Sequence, residues 1–429
     1  MEINRGIINK VSRLRDVERY SFIVEYSPPL TRPSISEEQL FNESSPNNTP
    51  TEVYVHIPDC PYICDFCSFF KVRQMDESER NRYISALENE LQIYIKKSNL
   101  SSRPVRSLFF GGGTPTRLSS KQFTNLLNFL QNKLNLDKNS EISSESTPDT
   151  LNSEILETMR NNGVNRLSIG VQDFHNEVLE ARKRLHTGQQ AISSYYEAKK
   201  HGFDKVNIDL MYRLPKQTLE SWEDNLRIIG ELRPEYVTLY HLRKEGRTSL
   251  GKKKESIFPS KEEAMEMYIR GLEFLVNSGY IQISPNQFAL PHKKFEQQEG
   301  KWSLSNELLG LGVSAYSYFN GCSYRNIGRF GNRQDLGIYT KRIEYGNLAI
   351  ENGERLSELE KMCRFAVFGI KTSGINKEGG INKHLFSDKF GFSVHDIFGE
   401  ILDRLTRDNL IEETDEFIRL TVAGMIISE

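Results

Sequence analysis

Cysteine and tryptophan are scarce in this chain, which has five cysteines and two tryptophans among 429 residues. So few cysteines do not make the dense pattern of a disulfide scaffold. Charge of one sign is also lacking, because 56 basic residues face 58 acidic ones and the formal net charge is −2. That balance gives no overall attraction to nucleic acid or to an anionic membrane, so neither partner is expected.

Long apolar runs are missing as well. No stretch approaches the roughly 18 apolar residues that a membrane helix needs, and the opening segment MEINRGIINKVSRLRDVERYSF lacks the apolar centre of a signal peptide. We therefore expect a cytoplasmic protein without a membrane span, in a compartment that keeps thiols reduced. The few cysteines then indicate metal binding or redox chemistry.

Short apolar runs alternate with amphipathic segments from residue 52 onward. The predicted strands are 52–57, 105–110, 140–145, 165–170, 205–210 and 236–241, and the predicted helices are 76–98, 119–133, 150–162, 187–201, 217–231 and 260–278. Strict alternation predicts an α/β fold of parallel strands with right-handed crossovers, either an open doubly wound sheet or a partial barrel. Both architectures bind ligands at the carboxyl ends of their strands.

The pattern divides the chain into three parts. Residues 1–50 are polar and end in FNESSPNNTP, which predicts an arm and a linker. Residues 51–330 carry the alternating pattern and form the predicted core. Residues 331–429 are predicted to be mostly helical and to end in a winged-helix-like cap; its mixed charges offer no basic face for DNA.

Three of the five cysteines stand together after the first predicted strand. Cys60, Cys64 and Cys67 are separated by three and then two residues. A structural zinc site needs four ligands, and here no second cysteine pair follows, while His56 falls inside a strand. Three thiolates can instead hold a [4Fe–4S] cluster that leaves one iron open for a chelating ligand. The spacing favours the cluster.

Other notable residues also follow strand ends. Glycine lets the backbone approach a ligand closely, although a run of glycines alone is as often a turn, and an acid in an apolar run needs a partner. His241 is either a core histidine with a satisfied hydrogen bond or a substrate contact, Arg184 alone resembles a helix-surface charge, and Phe288 resembles a packing residue. The strand-end residues are Gly111, Gly112, Gly113, Thr114, Glu145, Gln172 and Asp209.

The cysteine spacing resembles the signature of radical S-adenosylmethionine (SAM) enzymes. In addition, YVHIPDCPYICDFC, FFGGGTPT, ESTPDTL, GVNRLSIGVQDF, NIDLMYRLPKQT and LLGLGVSAYS occur in the order typical of the oxygen-independent coproporphyrinogen III oxidase-like family. The resemblance covers about 50–330 well. It implies a partial (β/α)6 barrel, a [4Fe–4S] cluster, two bound SAM molecules and a reducing partner such as flavodoxin or ferredoxin.

The resemblance also implies roles for individual residues. It places the three clustered cysteines on the iron–sulfur cluster and the glycine-rich segment beside the SAM amino group. Phe66 and Phe288 would lie beside the second SAM. The residues implied for the first SAM are Tyr54, Gly112, Gly113, Glu145, Gln172, Arg184 and Asp209.

Three branches of the family are open. The oxidases usually carry a further cysteine two residues after the third, where this chain has Phe69. The heme chaperones carry a His-Asn-x-x-Tyr-Trp-type motif, which PHKKFEQQEGKW (291–302) does not match. The class C methyltransferases share the CxFCxF pattern of Cys64 to Phe69. Arg213 stands where the family pattern has glycine.

The first hypothesis is therefore a class C-type enzyme. It would transfer a SAM-derived one-carbon unit, by methylation or cyclopropanation, to an sp2 carbon of a small unsaturated or aromatic substrate. A proton must then leave the adduct, and His241 or Tyr240 is predicted to take it; full turnover in both His241→Ala and Tyr240→Phe would exclude this. The alternatives are decarboxylation of the coproporphyrinogen oxidase type and a heme-binding chaperone.

Overall fold

The computed structural model of the chain describes residues 3, 34–293, 306–375 and 379–428. Most of the predicted N-terminal arm (1–50) and most of the segment compared with the heme motif (291–302) therefore lie outside the described residues. Among the described residues, no helix is long and apolar enough to cross a membrane.

The described strands and helices alternate through the first two thirds of the chain. The strands are β1 Thr51–Ile57, β2 Asp59–Cys60, β3 Val72–Arg73, β4 Pro104–Gly112, β5 Asn135–Ser146, β6 Arg166–Gln172, β7 Val206–Tyr212, β8 Tyr236–His241, β9 Ile281–Ser284, β10 Gln287–Ala289, β11 Glu307–Leu311, β12 Tyr316–Phe319, β13 Cys322–Asn326, β14 Ile350–Arg355, β15 Ile381–Asn382, β16 Ile411–Glu413 and β17 Phe417–Leu420. The helices are α1 Glu37–Phe41, α2 Glu77–Lys97, α3 Ser120–Lys133, α4 Ser153–Asn161, α5 Asn176–Ala181, α6 Gly188–Lys200, α7 Leu219–Leu232, α8 Lys261–Asn277, α9 Gln334–Glu344, α10 Glu358–Lys371, α11 Lys383–Phe390, α12 Val394–Arg407 and α13 Val422–Ser428.

Most helices of the alternating region begin at reciprocal caps. At α3 the Ser119 hydroxyl accepts from the Gln122 N–H, and the Gln122 side chain accepts from the Ser119 N–H. This pairing satisfies two backbone donors that the first helical turn leaves open. The predicted helix start at Ser119 or Ser120 is confirmed, and the same device begins α2, α6, α7 and α8.

The main sheet has twelve strands in the order β14-β13-β12-β11-β1-β4-β5-β6-β7-β8-β10-β9. Strands β1, β4, β5, β6, β7 and β8 are parallel and are each followed by a helix. On one side of this group, β11 pairs with β1 in parallel, and the next strand, β12, is antiparallel to β11. On the other side, β10 pairs with β8 in the antiparallel sense. The predicted α/β fold with six strand–helix units in a partial barrel is confirmed.

The sheet continues past residue 330, where the core was predicted to end. β14 pairs with β13 at the edge of the main sheet, so this strand is part of the core. From α10 to β17 the element order is helix, strand, helix, helix, strand, strand, and these elements enclose a separate apolar cluster. β15, β17 and β16 form a small antiparallel sheet. The last helix, α13, packs against the main core instead. The winged-helix-like cap stays a prediction.

A buried carboxyl group on α2, that of Glu90, forms hydrogen bonds to α9, to β13 and to the residue after β11. Glu90 accepts hydrogen bonds from the Tyr339 hydroxyl at 2.6 Å, the Gly312 N–H at 2.7 Å and Asn326 Nδ2 at 2.7 Å. Burial raises the pKa of Glu90 to about 7, although these three bonds act in the opposite direction. The folded chain therefore keeps a proton on Glu90 at pH values where the unfolded chain releases it.

We expect Glu90 to lower the stability of the fold as the pH rises from 4.5 to about 7. In this window the folded state binds more protons than the unfolded state, so the free energy of unfolding falls with pH. Glu90→Gln has no carboxyl group to titrate at this position. Its free energy of unfolding should therefore rise relative to that of the wild type by up to about 1.4 kcal/mol per pH unit in this window. Urea unfolding across the window measures the difference, with the exposed Glu400→Gln as control. A constant difference between Glu90→Gln and the wild type would contradict this account.

Candidate functional site

The loop that carries the three cysteines is fixed at its base by one buried carboxylate. Asp59 accepts a hydrogen bond from the Met75 N–H at 2.9 Å and pairs with Arg80 at 3.0 Å and with Arg117 at 3.5 Å. The short parallel pair β2 and β3 closes the loop, with the Val72 N–H donating to the Pro58 carbonyl at 2.7 Å. The loop therefore leaves the carboxyl end of β1 in one defined conformation.

Two polar groups lie against the clustered thiols. Thr114 Oγ1 is 3.7 Å from Cys60 Sγ, and Arg184 Nη1 is 3.5 Å from Cys64 Sγ. Burial, followed by the neighbouring Cys67 thiol, raises the pKa of Cys60 to about 12. A bound metal deprotonates such a thiol directly. The Cys60 thiol would therefore become charged when it binds a metal.

The donor set fits an iron–sulfur cluster better than a single metal ion. In the described part of the chain, no three His, Cys, Asp or Glu side chains converge closely enough to hold one ion. Three thiols on one loop suit the larger cluster, for which cysteine sulfur is the usual ligand. Cys60, Cys64 and Cys67 would hold it, and cluster and SAM together would supply one-electron cleavage of SAM and hydrogen-atom abstraction.

The glycine-rich segment packs directly against the base of the cysteine loop. The Gly113 N–H donates to the Ile57 carbonyl at 2.8 Å and the Thr114 N–H donates to the Asp59 carbonyl at 2.9 Å. A Cβ at Gly113 would lie 2.7 Å from backbone atoms of Ile57 and Pro58. Packing alone therefore requires glycine here, and its role toward SAM stays a prediction.

His56 fills the space beside Gly112. Burial lowers the pKa of His56 to about 4, so its ring is neutral. His56 Nε2 lies 3.0 Å from the Phe70 carbonyl, to which it must donate, so Nδ1 accepts from the Tyr54 hydroxyl at 3.1 Å. Both ring nitrogens are occupied, which agrees with the prediction that His56 is not a metal ligand.

Gly112→Ala is expected to destabilise the site strongly. Gly112 has φ +106°, and an alanine Cβ would lie 2.4 to 2.8 Å from three His56 ring atoms. Gly202 is the matched control, because it has φ +82° with its nearest neighbour 3.6 Å away. Both variants carry about 1–3 kcal/mol of backbone strain, and only Gly112→Ala adds the clash. Urea unfolding and SAM binding by equilibrium dialysis measure the two effects; equal losses in both variants would contradict the packing argument.

Two partly buried acids lie on β5 and β7, the two strands that flank β6 in the sheet. Glu145, on β5, accepts the Gly112 N–H at 3.0 Å, and burial raises its pKa to about 7. Asp209, on β7, accepts from Ser168 Oγ at 3.1 Å and from Asn207 Nδ2 at 2.7 Å, and burial raises its pKa too. The charge of Asp209 also raises the pKa of Glu145. The two acids are therefore close enough to interact, and their role toward SAM stays a prediction.

The other side chains implied for the first SAM lie on β1, on β6 and after α5. Arg184 Nη2 donates to the Gly170 carbonyl on β6, and its guanidinium lies 5.6 Å from the Tyr62 ring centre. Gln172 ends β6 in a left-handed conformation with φ +73°. Tyr54 stacks on Phe109 with ring centres 6.0 Å apart. Arg184 is thus a buried link between β6 and the cysteine loop and not the surface charge that it resembles when taken alone, while its predicted role toward SAM is untested.

The two residues implied for the second SAM lie in different packing environments. Phe288 is 0% exposed on β10 within the main core, where its position favours a packing role. Phe66 packs with Met211, Leu242 and Phe258 in a separate apolar cluster next to the cysteine loop. Only Phe66 is therefore close to the cysteines.

The proposed proton acceptors sit at the end of β8. The Tyr240 side chain is 42% exposed, and the His241 ring stacks on Tyr212 with centres 5.2 Å apart. Arg213, one residue beyond β7, has φ +67°, which explains why the family pattern has glycine there. Its guanidinium is paired with Glu255 on the following loop.

A polar group that the sequence did not single out supports the cysteine loop. The Tyr62 hydroxyl donates to Asp149 Oδ1 at 3.0 Å, and the His186 ring lies 3.8 Å from the same oxygen. Burial alone would raise the pKa of Asp149, but His186, Arg184 and Tyr62 together lower it. The only signal in the sequence was the position of Asp149 in the ESTPDT motif, directly after a strand.

Comparison with known proteins agrees with this geometry. Residues 54–229 match the model of the radical SAM superfamily. The heme chaperone HemW of Lactococcus lactis is 30% identical over 379 residues, which are 87% of this chain and 94% of that protein. The oxygen-independent coproporphyrinogen III oxidase of Escherichia coli is 28% identical over 397 residues, 88% of this chain and 83% of that one.

A solved structure matches over nearly the whole chain. Coproporphyrinogen III oxidase (HemN) from Escherichia coli, a radical SAM enzyme, superposes with a TM-score of 0.83 at 26% identity, covering 96% of this chain and 97% of that one. The fold and the site thus define a radical SAM protein. Within that superfamily, the chain belongs to the coproporphyrinogen III oxidase-like family that HemN and HemW represent.

Proposed function

We propose that this radical SAM enzyme acts on a tetrapyrrole, by hydrogen-atom abstraction of the coproporphyrinogen oxidase type. The similarity to HemN over 96% of the chain is the observation that carries the proposal, because it includes the C-terminal unit as well as the barrel. The activities of these relatives favour tetrapyrrole chemistry over the first hypothesis, one-carbon transfer to an unspecified small molecule.

The residues of the chain would bind, orient and protect. Glu145 and Asp209 are partly buried acceptors suited to the amine and ribose groups of SAM. Arg184 would fix the position of Cys64 relative to β6, because it contacts both. The Tyr54 ring would offer a flat face beside the glycines. In a reaction of the oxidase type, each propionate would give one hydrogen atom to the radical derived from SAM, which would thereby become 5′-deoxyadenosine. The side chain would then lose carbon dioxide and pass one electron to an external acceptor, which leaves a vinyl group. No nucleophilic side chain is needed.

One-carbon transfer is a second candidate, because one observation favours it. Phe66 and Phe69 complete the CxFCxF pattern of the class C methyltransferases, and Phe69 takes the place of the additional cysteine of the oxidases. A tetrapyrrole also offers sp2 ring carbons, so both candidates share a substrate class. This candidate requires a second SAM, with Phe66 beside it.

Heme carriage is the third candidate, on the 30% identity to HemW. The residues His292 and Trp302 are the only parts of the heme motif that the sequence offers in 291–302. Anaerobic titration of the protein with heme tests it, and a Soret shift at one equivalent would support carriage over catalysis.

Product analysis separates the two catalytic candidates. The protein is reconstituted anaerobically with iron and sulfide, reduced, and incubated with SAM and coproporphyrinogen III. The proposal predicts 5′-deoxyadenosine together with products lighter by the mass of one or two decarboxylations. S-adenosylhomocysteine formed in step with 5′-deoxyadenosine, with a heavier tetrapyrrole, would instead establish one-carbon transfer. An unchanged tetrapyrrole in the presence of active cluster would contradict both.

A further inference from the structure

A cationic loop borders the cysteine loop on its solvent side. Residues 243–255, which follow β8, contain six basic and two acidic residues in a chain whose net charge is −2. The loop is joined directly to the cysteine loop, because the Leu250 N–H donates to the Asp65 carbonyl at 2.9 Å and Ser249 Oγ donates to the same oxygen at 3.2 Å. The positive charge is thereby held next to the cluster ligands.

An open cavity of about 480 Å³ lies between the two loops. Cys64 and Cys67 line it on one side, and Arg247, Lys252 and Lys253 line it on the other. None of the described residues assigned to the first SAM is among its lining residues. The cavity thus gives access to two cluster ligands from a direction separate from the SAM pocket.

Two of the six basic side chains on this loop form ion pairs with its own two acidic residues. Arg247 pairs with Glu245 at 2.6 Å and Lys244 pairs with Glu255 at 3.3 Å. Within the described ranges, no ion pair involves Lys252, Lys253 or Lys254, and all three side chains are exposed. Three consecutive exposed lysines therefore project a positive field into solvent.

Apolar surface lies within the same region. Phe69 is 66% exposed and Ile63 is 37% exposed on the cysteine loop. Lys71 Nζ lies 4.8 Å from the centre of the Phe330 ring, which also lines the cavity. A small apolar centre with a charged rim is the usual composition of a transient protein interface.

We infer that this surface is the docking site of an acidic one-electron carrier protein that reduces the cluster. Flexible exposed lysines steer an oppositely charged protein but hold no fixed geometry, so they suit a short-lived encounter. A small carboxylate substrate would instead call for buried, bidentate arginine contacts. The carrier loses one electron and the cluster gains it, with no bond made or broken. The inference rests on the family's reducible cluster and not on the tetrapyrrole substrate.

Binding of oxidised flavodoxin to the protein tests the inference without any turnover. The variant is Lys252→Glu/Lys253→Glu, and the control is Lys133→Glu/Lys138→Glu, which makes the same charge change on exposed residues at the amino-terminal end of β5. Fluorescence anisotropy should show flavodoxin binding weakened at least about 10-fold in the variant at low salt, and unchanged in the control. Added salt should weaken wild-type binding and remove most of the difference.

Cluster reduction provides the second readout. Flavodoxin hydroquinone should bleach the visible absorption of the reconstituted variant more slowly than that of the wild type, whereas photoreduced deazaflavin should reduce both at the same rate. Equal flavodoxin affinity in variant and control would overturn the inference. A variant that binds flavodoxin normally but shows a raised KM for its substrate would also overturn it, and would assign the cavity to an anionic small molecule.

Discussion

Cys64→Ala is expected to lose the iron–sulfur cluster and all SAM cleavage. Three thiols are the whole protein ligand set that this site offers, so loss of one leaves too few to hold the cluster. Substitution of outer-shell partners already costs about 10–100-fold in metal affinity, and loss of a direct ligand should cost more. Iron and sulfide content, visible absorption and 5′-deoxyadenosine yield measure the effect.

The chain offers a matched control for this prediction. Cys363 is half-buried on α10 and does not belong to the cysteine loop. Cys363→Ala should keep the iron, the absorption and the activity of the wild type. A Cys64→Ala protein that retains full iron and sulfide after reconstitution would show that this loop is not the cluster site.

Arg103→Met should produce the largest loss of stability among the structural contacts. The guanidinium of Arg103 is 0% exposed and pairs with Glu307 at the start of β11. It also donates to Asn99 Oδ1 at 2.8 Å and to Asn320 Oδ1 at 2.6 Å. Methionine keeps much of the volume but leaves Glu307 as a buried carboxylate without its cation. Breaking such a pair costs about 3–5 kcal/mol.

Two further variants show that the loss comes from the unpaired charge. Arg103→Met/Glu307→Leu should recover part of the stability, since replacing both partners by apolar groups is often close to neutral. Arg82→Met removes the exposed pair with Glu344 and should cost about 0–1 kcal/mol. Urea unfolding of the metal-free proteins compares them. A loss in Arg103→Met no larger than that in Arg82→Met would contradict the argument.

The alternating part of the fold could be read from the sequence because its signals are local. The predicted helix 119–133 is observed as Ser120–Lys133, and the predicted strand 236–241 as Tyr236–His241. Capping residues and apolar periodicity lie within a few residues of the elements that they define. The parallel order of the strands then placed the cysteines, the glycines and the acids at one edge.

The support of the site could not be predicted, because it depends on contacts between distant parts of the chain. Tyr62 meets Asp149 and Arg184 meets Cys64 only after β5 and β6 are in place. Arg184 was accordingly read as a surface charge when taken alone. β11 pairs with β1 although about 250 residues separate the two strands in the sequence, and no local pattern predicts that pairing. The burial of Glu90 likewise follows from helix–sheet packing.

Deuterium transfer tests the central claim most directly. Coproporphyrinogen III with fully deuterated propionate side chains is incubated anaerobically with the reduced, reconstituted protein and SAM. If the enzyme abstracts hydrogen from these side chains, the 5′-deoxyadenosine formed carries one deuterium and the tetrapyrrole loses carbon dioxide. Unlabelled 5′-deoxyadenosine from a protein that still cleaves SAM would contradict the account.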